Sequence, residues 1–418
     1  MALSALLLSV LAQGPGVAPA QATDLGAQLV VVEPIRLAVS PVLDGTLGEE
    51  EWDPFADGEQ SKSFLQWEPG KIHVAGILPP LHDLVVSIDV KNDGWLKGKD
   101  NIEVRIRQEG DRAVLSSRLL DATGKEGPVW TELPSVVQAS EAVAREGQGG
   151  VFYEASIADA GLGLFSPERG QRFGVRYDAF PSDASDVAAF LPRAMSVITL
   201  ATQRSAGMPN GLTPAVQDDF QTVVPGENMR MRVTFRGSNT LQIRRLSLRS
   251  EGDVRDRTLS LSTPFMVFDN KGRAFFDYDT RVSVESPFGY RLMRASVLAG
   301  DGLEGLIQAS YRIAPLVDFT LRTKSIKANE ANQVARVTYR IRSNSVSRVV
   351  GGVAVDLPEG WRNLSGQDKG YLLYQKGQPI DRSIDVEIPG GTQGVFPIKL
   401  KSVLGDQVTD QTLWITVQ

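Results

Sequence analysis

Trp95 lies in a polar stretch of the chain, close to Asn92, Asp93 and Asp100. The flat face of a tryptophan can stack on the C–H face of a pyranose, while nearby carboxylates and amides bond the sugar hydroxyls. We expect Glu103, Asp93 or Asn92 to supply those hydrogen bonds. These residue types predict a carbohydrate-binding site. The alternative is that Trp95 folds back as a rim contact of the core.

Four aspartates occur in and around the same stretch, at Asp83, Asp89, Asp93 and Asp100. Carboxylate oxygens are the ligands that Ca²⁺ prefers in proteins. No Asp-x-Asp-x-Asp-Gly loop is present, and a site assembled from separate loops has no fixed spacing. Two hypotheses therefore stay open, a structural Ca²⁺ site and a solvated acidic surface, and the metal content is unknown.

The chain lacks residues that several kinds of catalytic site require. The chain has no cysteine, which rules out disulfides, thiolate metal sites and cysteine nucleophiles. Its two histidines, His73 and His82, cannot form a three-histidine zinc site and do not neighbour a nucleophile motif. We expect both to be ordinary surface or loop residues. No phosphate-binding loop or glycosidase signature is present, so the sequence predicts no catalytic residues and no enzyme.

The elements that would position Trp95 are two predicted strands. Residues 83–90 and 100–106 alternate in character, and a loop rich in Lys, Asn, Asp and Gly joins them. Upstream, Asp44 and Gly45 predict a turn, and we expect Trp52 to pack in the core. This pattern favours a β-sandwich that presents a ligand at a loop edge.

The order of these features resembles the family 9 carbohydrate-binding modules over roughly residues 37–200. The resemblance implies that two aromatic rings sandwich a terminal sugar, with Trp95 as one ring and Glu103 bonding hydroxyls. No tryptophan lies between Trp130 and Trp361. Tyr177 or Phe180 would therefore form the second ring. The family often carries structural calcium, which makes Ca²⁺ the cofactor that the resemblance implies.

The second half of the chain differs in charge from the first. Residues 1–219 hold 17 Lys and Arg against 30 Asp and Glu, whereas residues 220–418 hold 27 against 20. Residues 204–221 are rich in Gly, Pro, Asn, Gln and Ser and predict a linker. Strict apolar–polar alternation from Met229 to Arg236 and from Ala335 to Arg342 predicts half-buried antiparallel strands.

These patterns predict an all-β chain of several domains. We expect a signal peptide at 1–22, a family 9-like β-sandwich at 29–203, and Ig-like β-sandwiches at 222–314 and 315–418. The turn ending at Trp361 resembles Ig-like domains appended to sugar-binding modules and glycosidases. The arginines beginning with Arg230 and Arg232 suit a solvated strand face, docking on an acidic polysaccharide or on the acidic first domain, or, least of all, nucleic acid.

The apolar run of residues 1–12 has signal-peptide length and is too short to cross a bilayer. We therefore expect export to the periplasm, the cell surface or the medium, with no membrane span and no nucleic-acid partner. The leading hypothesis is a non-catalytic carbohydrate-binding protein of the bacterial cell envelope that acts beside envelope proteins or a partner glycosidase. The alternative is a structural or assembly protein whose sandwiches bind other proteins.

Overall fold

The structure is a computed structural model. It describes residues 35–48, 51–57, 61–110, 112–160, 163–183, 194–208, 212–237, 243–250, 257–260, 269, 271–299, 302–366, 370–404 and 407–418. The predicted signal peptide at 1–22 lies outside these residues. The described chain is nearly all β, as the sequence predicts, and its only helix among these residues is α1 (Pro134–Ala139). No helix in this part of the chain is long and apolar enough to cross a membrane.

The first unit is a β-sandwich with twelve strands among its described residues. In chain order they are β1 (Ile35–Leu37), β2 (Pro54–Asp57), β3 (Lys62–Glu68), β4 (Lys71–Leu78), β5 (His82–Asp89), β6 (Asn101–Glu109), β7 (Arg112–Asp121), β8 (Val129–Glu132), β9 (Glu141–Gly147), β10 (Gly150–Ala158), β11 (Arg172–Pro181) and β12 (Ser196–Ala201). One sheet has the order β1-β12-β11-β5-β6-β7-β8, and the other has the order β2-β3-β4-β10-β9. Their inner faces enclose Trp67, Tyr153 and Phe173, all fully buried.

The second unit begins earlier than the sequence predicts. Its strands are β13 (Gln203–Ala206), β14 (Thr213–Gln217), β15 (Thr222–Val223), β16 (Asn228–Arg236), β17 (Ile243–Ser250), β18 (Arg257–Ser260), β19 (Arg273–Arg281), β20 (Gly289–Ala299) and β21 (Glu304–Ile313). β13 pairs with β21, and β14 pairs with β16. The predicted linker at 204–221 is therefore wrong, because backbone pairing with distant strands orders a segment that has little apolar periodicity.

The third unit is a second Ig-sized sandwich. It contains β22 (Val317–Leu321), β23 (Ser325–Ile326), β24 (Gln333–Ser343), β25 (Val349–Asp356), β26 (Arg362–Asn363), β27 (Tyr371–Leu373), β28 (Pro379–Ile388), β29 (Gly394–Leu404) and β30 (Gln407–Val417). The sheets have the orders β22-β24-β28-β26 and β23-β30-β29-β25-β27. The predicted alternation is confirmed in β24, where Val337, Tyr339 and Ile341 enter the core.

Exposed strand faces carry cross-strand ion pairs. Arg230 and Arg232 both bond the Asp277 carboxylate of β19, and Arg340 of β24 bonds Asp381 of β28. The two arginines hold the pKa of Asp277 well below its usual range. For these arginines, the hypothesis of a solvated strand face accounts for the charge without a ligand.

Specific contacts join the three units. The Arg204 guanidinium donates to Asp53 of the first unit over 2.8 and 3.3 Å. Phe220 stacks on Trp67 of the first unit and on Tyr290 of the second, at centroid distances of 6.0 and 5.1 Å. These contacts combine an ion pair with buried aromatic area, so the first and second units pack directly on each other.

The second and third units are joined in the same way. Arg312 of β21 forms a two-pronged pair with Asp318 of β22, over 2.6 and 2.8 Å. Glu227 of the second unit accepts hydrogen bonds from Ser345 Oγ at 2.5 Å and from the Val346 amide at 3.0 Å. A bidentate Arg–carboxylate pair fixes orientation as well as distance.

Candidate functional site

The loop between β5 and β6 contains most of the residues that the sequence singles out. Asn92 and Gly94 adopt positive φ values of 56° and 121°, which turn the chain back sharply. The turn brings the amides of Asp93 and Gly94 to the Asp89 carboxylate, at 3.3 and 2.8 Å. Asp100 then opens the return into β6. The local sequence therefore folds around carboxylates at both of its ends.

Three of these carboxylates form a cluster. One oxygen each of Asp89, Asp93 and Asp100 lies within 4.8 Å of the others. Asp89 and Asp100 are buried, whereas Asp93 is exposed. Burial raises the pKa of both buried carboxyls, and the neighbouring carboxylates raise it further. The arrangement offers several oxygens to one hard cation.

Asp100 carries the feature that most needs a cation. The residue is 3% exposed, and its Oδ2 accepts a hydrogen bond from the Lys91 amide at 2.9 Å. Its Oδ1 is buried and receives no hydrogen bond, although the Lys91 ammonium lies 4.0 Å away. A buried carboxylate oxygen without a donor costs free energy that a bound cation would offset.

Asp83 does not belong to this cluster, in contrast to our hypothesis. The side chain is fully buried and accepts hydrogen bonds from Arg105 at 2.5 Å, Arg107 at 3.0 Å and Ser182 Oγ at 2.6 Å. These donors hold the pKa of Asp83 below its usual value against the effect of burial. Because its oxygens are occupied by donors, Asp83 is a structural ion-pair residue.

Trp95 is not an exposed stacking surface. Only 4% of the residue is accessible, and it packs with Leu120 and Met195 in a small cluster at the edge of the sandwich. Trp130 packs beside it, with ring centroids 6.1 Å apart and planes inclined by 56°. The rim-contact alternative describes this geometry. A stacking role for Trp95 stays a prediction that requires the ring to become accessible.

Two of the other predicted ligand residues, Glu103 and Tyr177, bond groups of the protein. Glu103 is 6% exposed and bonds Arg118, whose Nε donates over 2.8 Å. Tyr177 donates from its hydroxyl to the Phe64 carbonyl at 2.7 Å and contacts Phe55, which places it away from Trp95. The second ring beside Trp95 is therefore Trp130, which the resemblance did not select, and Tyr177 does not substitute for it.

The Asp-Gly turn and Trp52 are structural, as the sequence predicts. Asp44 Oδ1 accepts from the Thr46 amide at 2.8 Å, and Trp52 is 4% exposed. The segment from Asp44 to Trp52 is hydrogen-bonded at both of its ends to the carboxyl group of Glu154 in β10. Its Oε2 accepts from the Gly45 amide at 2.6 Å, and its Oε1 accepts from Trp52 Nε1 at 3.1 Å. Glu154 thus fastens the segment to the sheet.

A large cleft, which the sequence did not reveal, opens where the three units meet. Its volume is about 1220 Å³. The first unit contributes the outer face of its five-stranded sheet, and the second contributes the start of β20 and the end of β21. The third unit contributes the outer faces of β29 and β30, where Asp410, Thr412 and Trp414 alternate with the core residues Ile415 and Val417.

His73 and Ser156 lie side by side on the first unit's wall of the cleft. They are paired across β4 and β10, on the face opposite the core residues Ile72 and Val74. His73 is 4% exposed, so the expectation of a surface or loop histidine is wrong. Both of its ring nitrogens and Ser156 Oγ are buried without a hydrogen-bond partner. His82 instead begins β5, with Nδ1 3.0 Å from the Pro80 carbonyl.

Glu68 lies next to His73 and lines the same wall. His73 Nε2 is 3.7 Å from Glu68 Oε2, and Lys71 Nζ is 3.6 Å from Glu68 Oε1. Burial alone would raise the pKa of Glu68, but His73, Lys71 and Ser40 Oγ lower it to about 2. The wall therefore presents an ionised Glu68 carboxylate beside the Lys71 ammonium and the side chains of His73 and Ser40. Aromatic residues Phe288, Tyr290 and Trp414 line the other walls.

Comparison with known proteins finds no matching family model and no matching curated protein. Among solved structures, trypsin-activated alpha-2-macroglobulin from Escherichia coli is 11% identical, with 86% of this chain and 33% of that chain covered and a TM-score of 0.25. The chain thus spans about a third of that protein's length.

Two shorter structures match part of the chain. CBD12 from CALX1.2 is 13% identical, with 46% of this chain and 82% of that chain covered and a TM-score of 0.22. The fibronectin(III)-like modules of Clostridium thermocellum CbhA are 10% identical, with 49% of this chain and 94% of that chain covered and a TM-score of 0.17. These neighbours are all-β sandwiches, and no family 9 module is among them. Because no family model matches, the family-level resemblance is unsupported.

Proposed function

We propose that this chain is an exported, non-catalytic carbohydrate-binding protein of the bacterial cell envelope, and that it binds its ligand in the cleft between the three units. The cleft itself is the observation that supports the proposal. Its volume of about 1220 Å³ exceeds the 300–1,000 Å³ of ordinary small-molecule pockets. Aromatic rings, hydroxyls and carboxylates line it together, which suits the apolar faces and hydroxyls of sugars.

The loop predicted from the sequence supports this function less well than the cleft does. At the loop, Trp95 is buried and the Glu103 carboxylate bonds Arg118. In the cleft, Trp414 is only half-buried, and Phe288 is 50% exposed. A sugar could therefore reach aromatic faces in the cleft without displacing core contacts.

Replacing Trp414 by Ala is expected to weaken carbohydrate binding by about tenfold or more, because a stacked aromatic ring would be lost. Isothermal titration of the full chain with cello-, xylo-, manno- and chitohexaose measures the effect. Tyr374→Ala, at a site 63% exposed and outside the cleft lining, is the matched control and should leave binding unchanged. Absence of binding to all four hexaoses by the folded chain would reject the proposal.

The second candidate is a structural or assembly protein of the envelope. The observation in its favour is the set of direct contacts between units, such as Arg204 with Asp53 and Glu227 with Ser345. Such contacts suit a chain that presents three sandwiches in a fixed arrangement to protein partners. This function requires no sugar site, so it predicts no heat of binding in the same titration.

We also propose that Asp89, Asp93 and Asp100 hold a structural Ca²⁺. Calcium suits this set because it accepts carboxylate and carbonyl oxygens in flexible geometry. Its role would be to order the loop that carries Trp95. The mutual distances of the three carboxylates and the buried Asp100 Oδ1 without a donor support the assignment.

Calcium at about 100 times its dissociation constant is expected to raise the free energy of unfolding by about 2.7 kcal/mol. Melting in CaCl₂ and in EDTA measures this, and hydrogen exchange of residues 91–100 locates it. Asp93→Asn should abolish the response, whereas Asp183→Asn, at another exposed aspartate of the first unit, should keep it. Identical melting and exchange with and without calcium would contradict the site.

A further inference from the structure

We infer that the cleft selects uncharged oligosaccharides and rejects acidic ones such as uronates or sulfated sugars. This inference rests on the proposed carbohydrate-binding function and adds the chemical class of the ligand. It depends on how the charged groups of the cleft are already paired. It also depends on which polar atoms of the cleft are not paired.

Each basic side chain that lines the cleft faces a carboxylate of the protein. Arg312 forms two hydrogen bonds with Asp318, over 2.6 and 2.8 Å. Lys399 Nζ lies 2.7 Å from the Asp410 carboxylate, and Lys71 Nζ lies 3.6 Å from Glu68. A ligand carboxylate or sulfate would have to displace one of these acids to gain a basic partner. The cleft therefore offers an anion no ready counter-charge.

The net charge of the lining opposes an anion as well. Five carboxylates line the cleft against three lysine and arginine side chains, a net charge of −2 with His73 not counted; the acids are Glu68, Glu141, Asp159, Asp318 and Asp410. An excess of one sign of charge around a concave site acts on a bound group through the low-dielectric walls. An acidic sugar would meet repulsion here, whereas a neutral sugar would not.

The unpaired polar atoms suit hydroxyl groups. Ser156 Oγ can donate one hydrogen bond and accept others, and the two ring nitrogens of His73 add further hydrogen-bonding atoms. These atoms lie on neighbouring strands and are buried with no partner at hydrogen-bond distance, although His73 Nε2 faces Glu68 Oε2 at 3.7 Å. Both residues are buried, so a sugar hydroxyl or a bridging water reaches these atoms only when the wall opens locally, and it then acts as donor to one and acceptor from the other. We place the closest sugar ring against this pair.

The extent of the cleft indicates a ligand of several sugar rings. Its lining runs from Ser156 in the first unit, past Tyr290 in the second, to Trp414 in the third. A monosaccharide at the His73–Ser156 pair would leave most of the volume to water. An oligosaccharide can contact hydroxyl-binding and aromatic groups of separate units at once.

The test is isothermal titration of the full chain with the neutral hexaoses and with hexagalacturonate. We expect a neutral hexaose to bind at least tenfold more tightly than hexagalacturonate. Ser156→Ala, which removes one hydroxyl from the wall, should weaken binding of the neutral hexaose about fivefold. Glu141→Lys, at an exposed position of the lining, should tighten hexagalacturonate binding severalfold. Asp279→Lys, 64% exposed on the second unit and outside the lining, makes the same charge change and should not.

The outcomes separate the inference from the function on which it rests. If no sugar of either class binds, the carbohydrate-binding function fails. If hexagalacturonate binds as tightly as the neutral hexaoses, or more tightly, the function stands and the inferred selectivity is wrong. If Trp414→Ala weakens binding but Ser156→Ala does not, the sugar lies in the cleft away from the His73–Ser156 pair.

Discussion

Trp95→Ala is expected to destabilise the first sandwich by about 3–5 kcal/mol, the usual cost of truncating a large buried aromatic side chain. Trp95 is 4% exposed and packs on Leu120, Met195 and Trp130, so its removal leaves a cavity at the edge of the sheet. Chemical denaturation followed by far-ultraviolet circular dichroism measures the loss. Trp95→Phe should cost less, because it keeps part of the apolar volume.

The same variant separates packing from ligand binding. Tyr374→Ala, at a ring that is 63% exposed, serves as the control and should change stability by no more than about 0.5 kcal/mol. If Trp95→Ala retained full stability but lost carbohydrate binding, Trp95 would be the stacking platform that the sequence suggests. Our proposal of a cleft site predicts the reverse result, provided that binding is measured where the variant is folded.

The all-β class and the alternating strands could be predicted because they depend on local pattern. In β16, Met229, Met231 and Val233 enter the core, as the period of two requires. The predicted linker was wrong because the order of that segment depends on strands that are distant in the sequence. β13 gains its partner from β21, about 100 residues later in the chain. Composition alone does not contain that information.

The candidate site likewise has features that the local sequence could predict and features that depend on distant parts of the chain. The clustering of Asp89, Asp93 and Asp100 follows from one short loop, so the sequence could suggest a cation there. The burial of Trp95 could not be predicted, because Leu120 and Met195 approach it from β7 and from the chain just before β12. His73 and Trp414 line the same cleft only because three units pack together. Neither residue lies in a recognisable motif.

Protonation of Glu154 is expected to make the protein more stable in mildly acidic than in mildly alkaline solution. Burial raises its pKa from 4.5 to about 7, and the Glu51 and Asp44 carboxylates add to the rise, although donors from Gly45 and Trp52 oppose it. Between pH 4.5 and about pH 7, the Glu154 carboxyl of the unfolded chain has lost a proton that the folded chain keeps. The contribution is therefore complete below about pH 4.5 and is lost as the pH rises through about 7. Denaturation midpoints measured from pH 5 to 8 test this.

Glu154→Ala should cost about 3 kcal/mol, because the Asp44 and Gly45 amides and Trp52 Nε1 all lose their buried acceptor. It should also flatten the dependence of stability on pH. Glu146→Ala, at an exposed residue of the adjacent strand β9, is the matched control and should leave both quantities nearly unchanged. Faster hydrogen exchange of residues 44–48 and 51–53 would show that Glu154 fastens this segment. If stability fell while exchange there stayed slow, the segment would be held by its packing against the sheet instead.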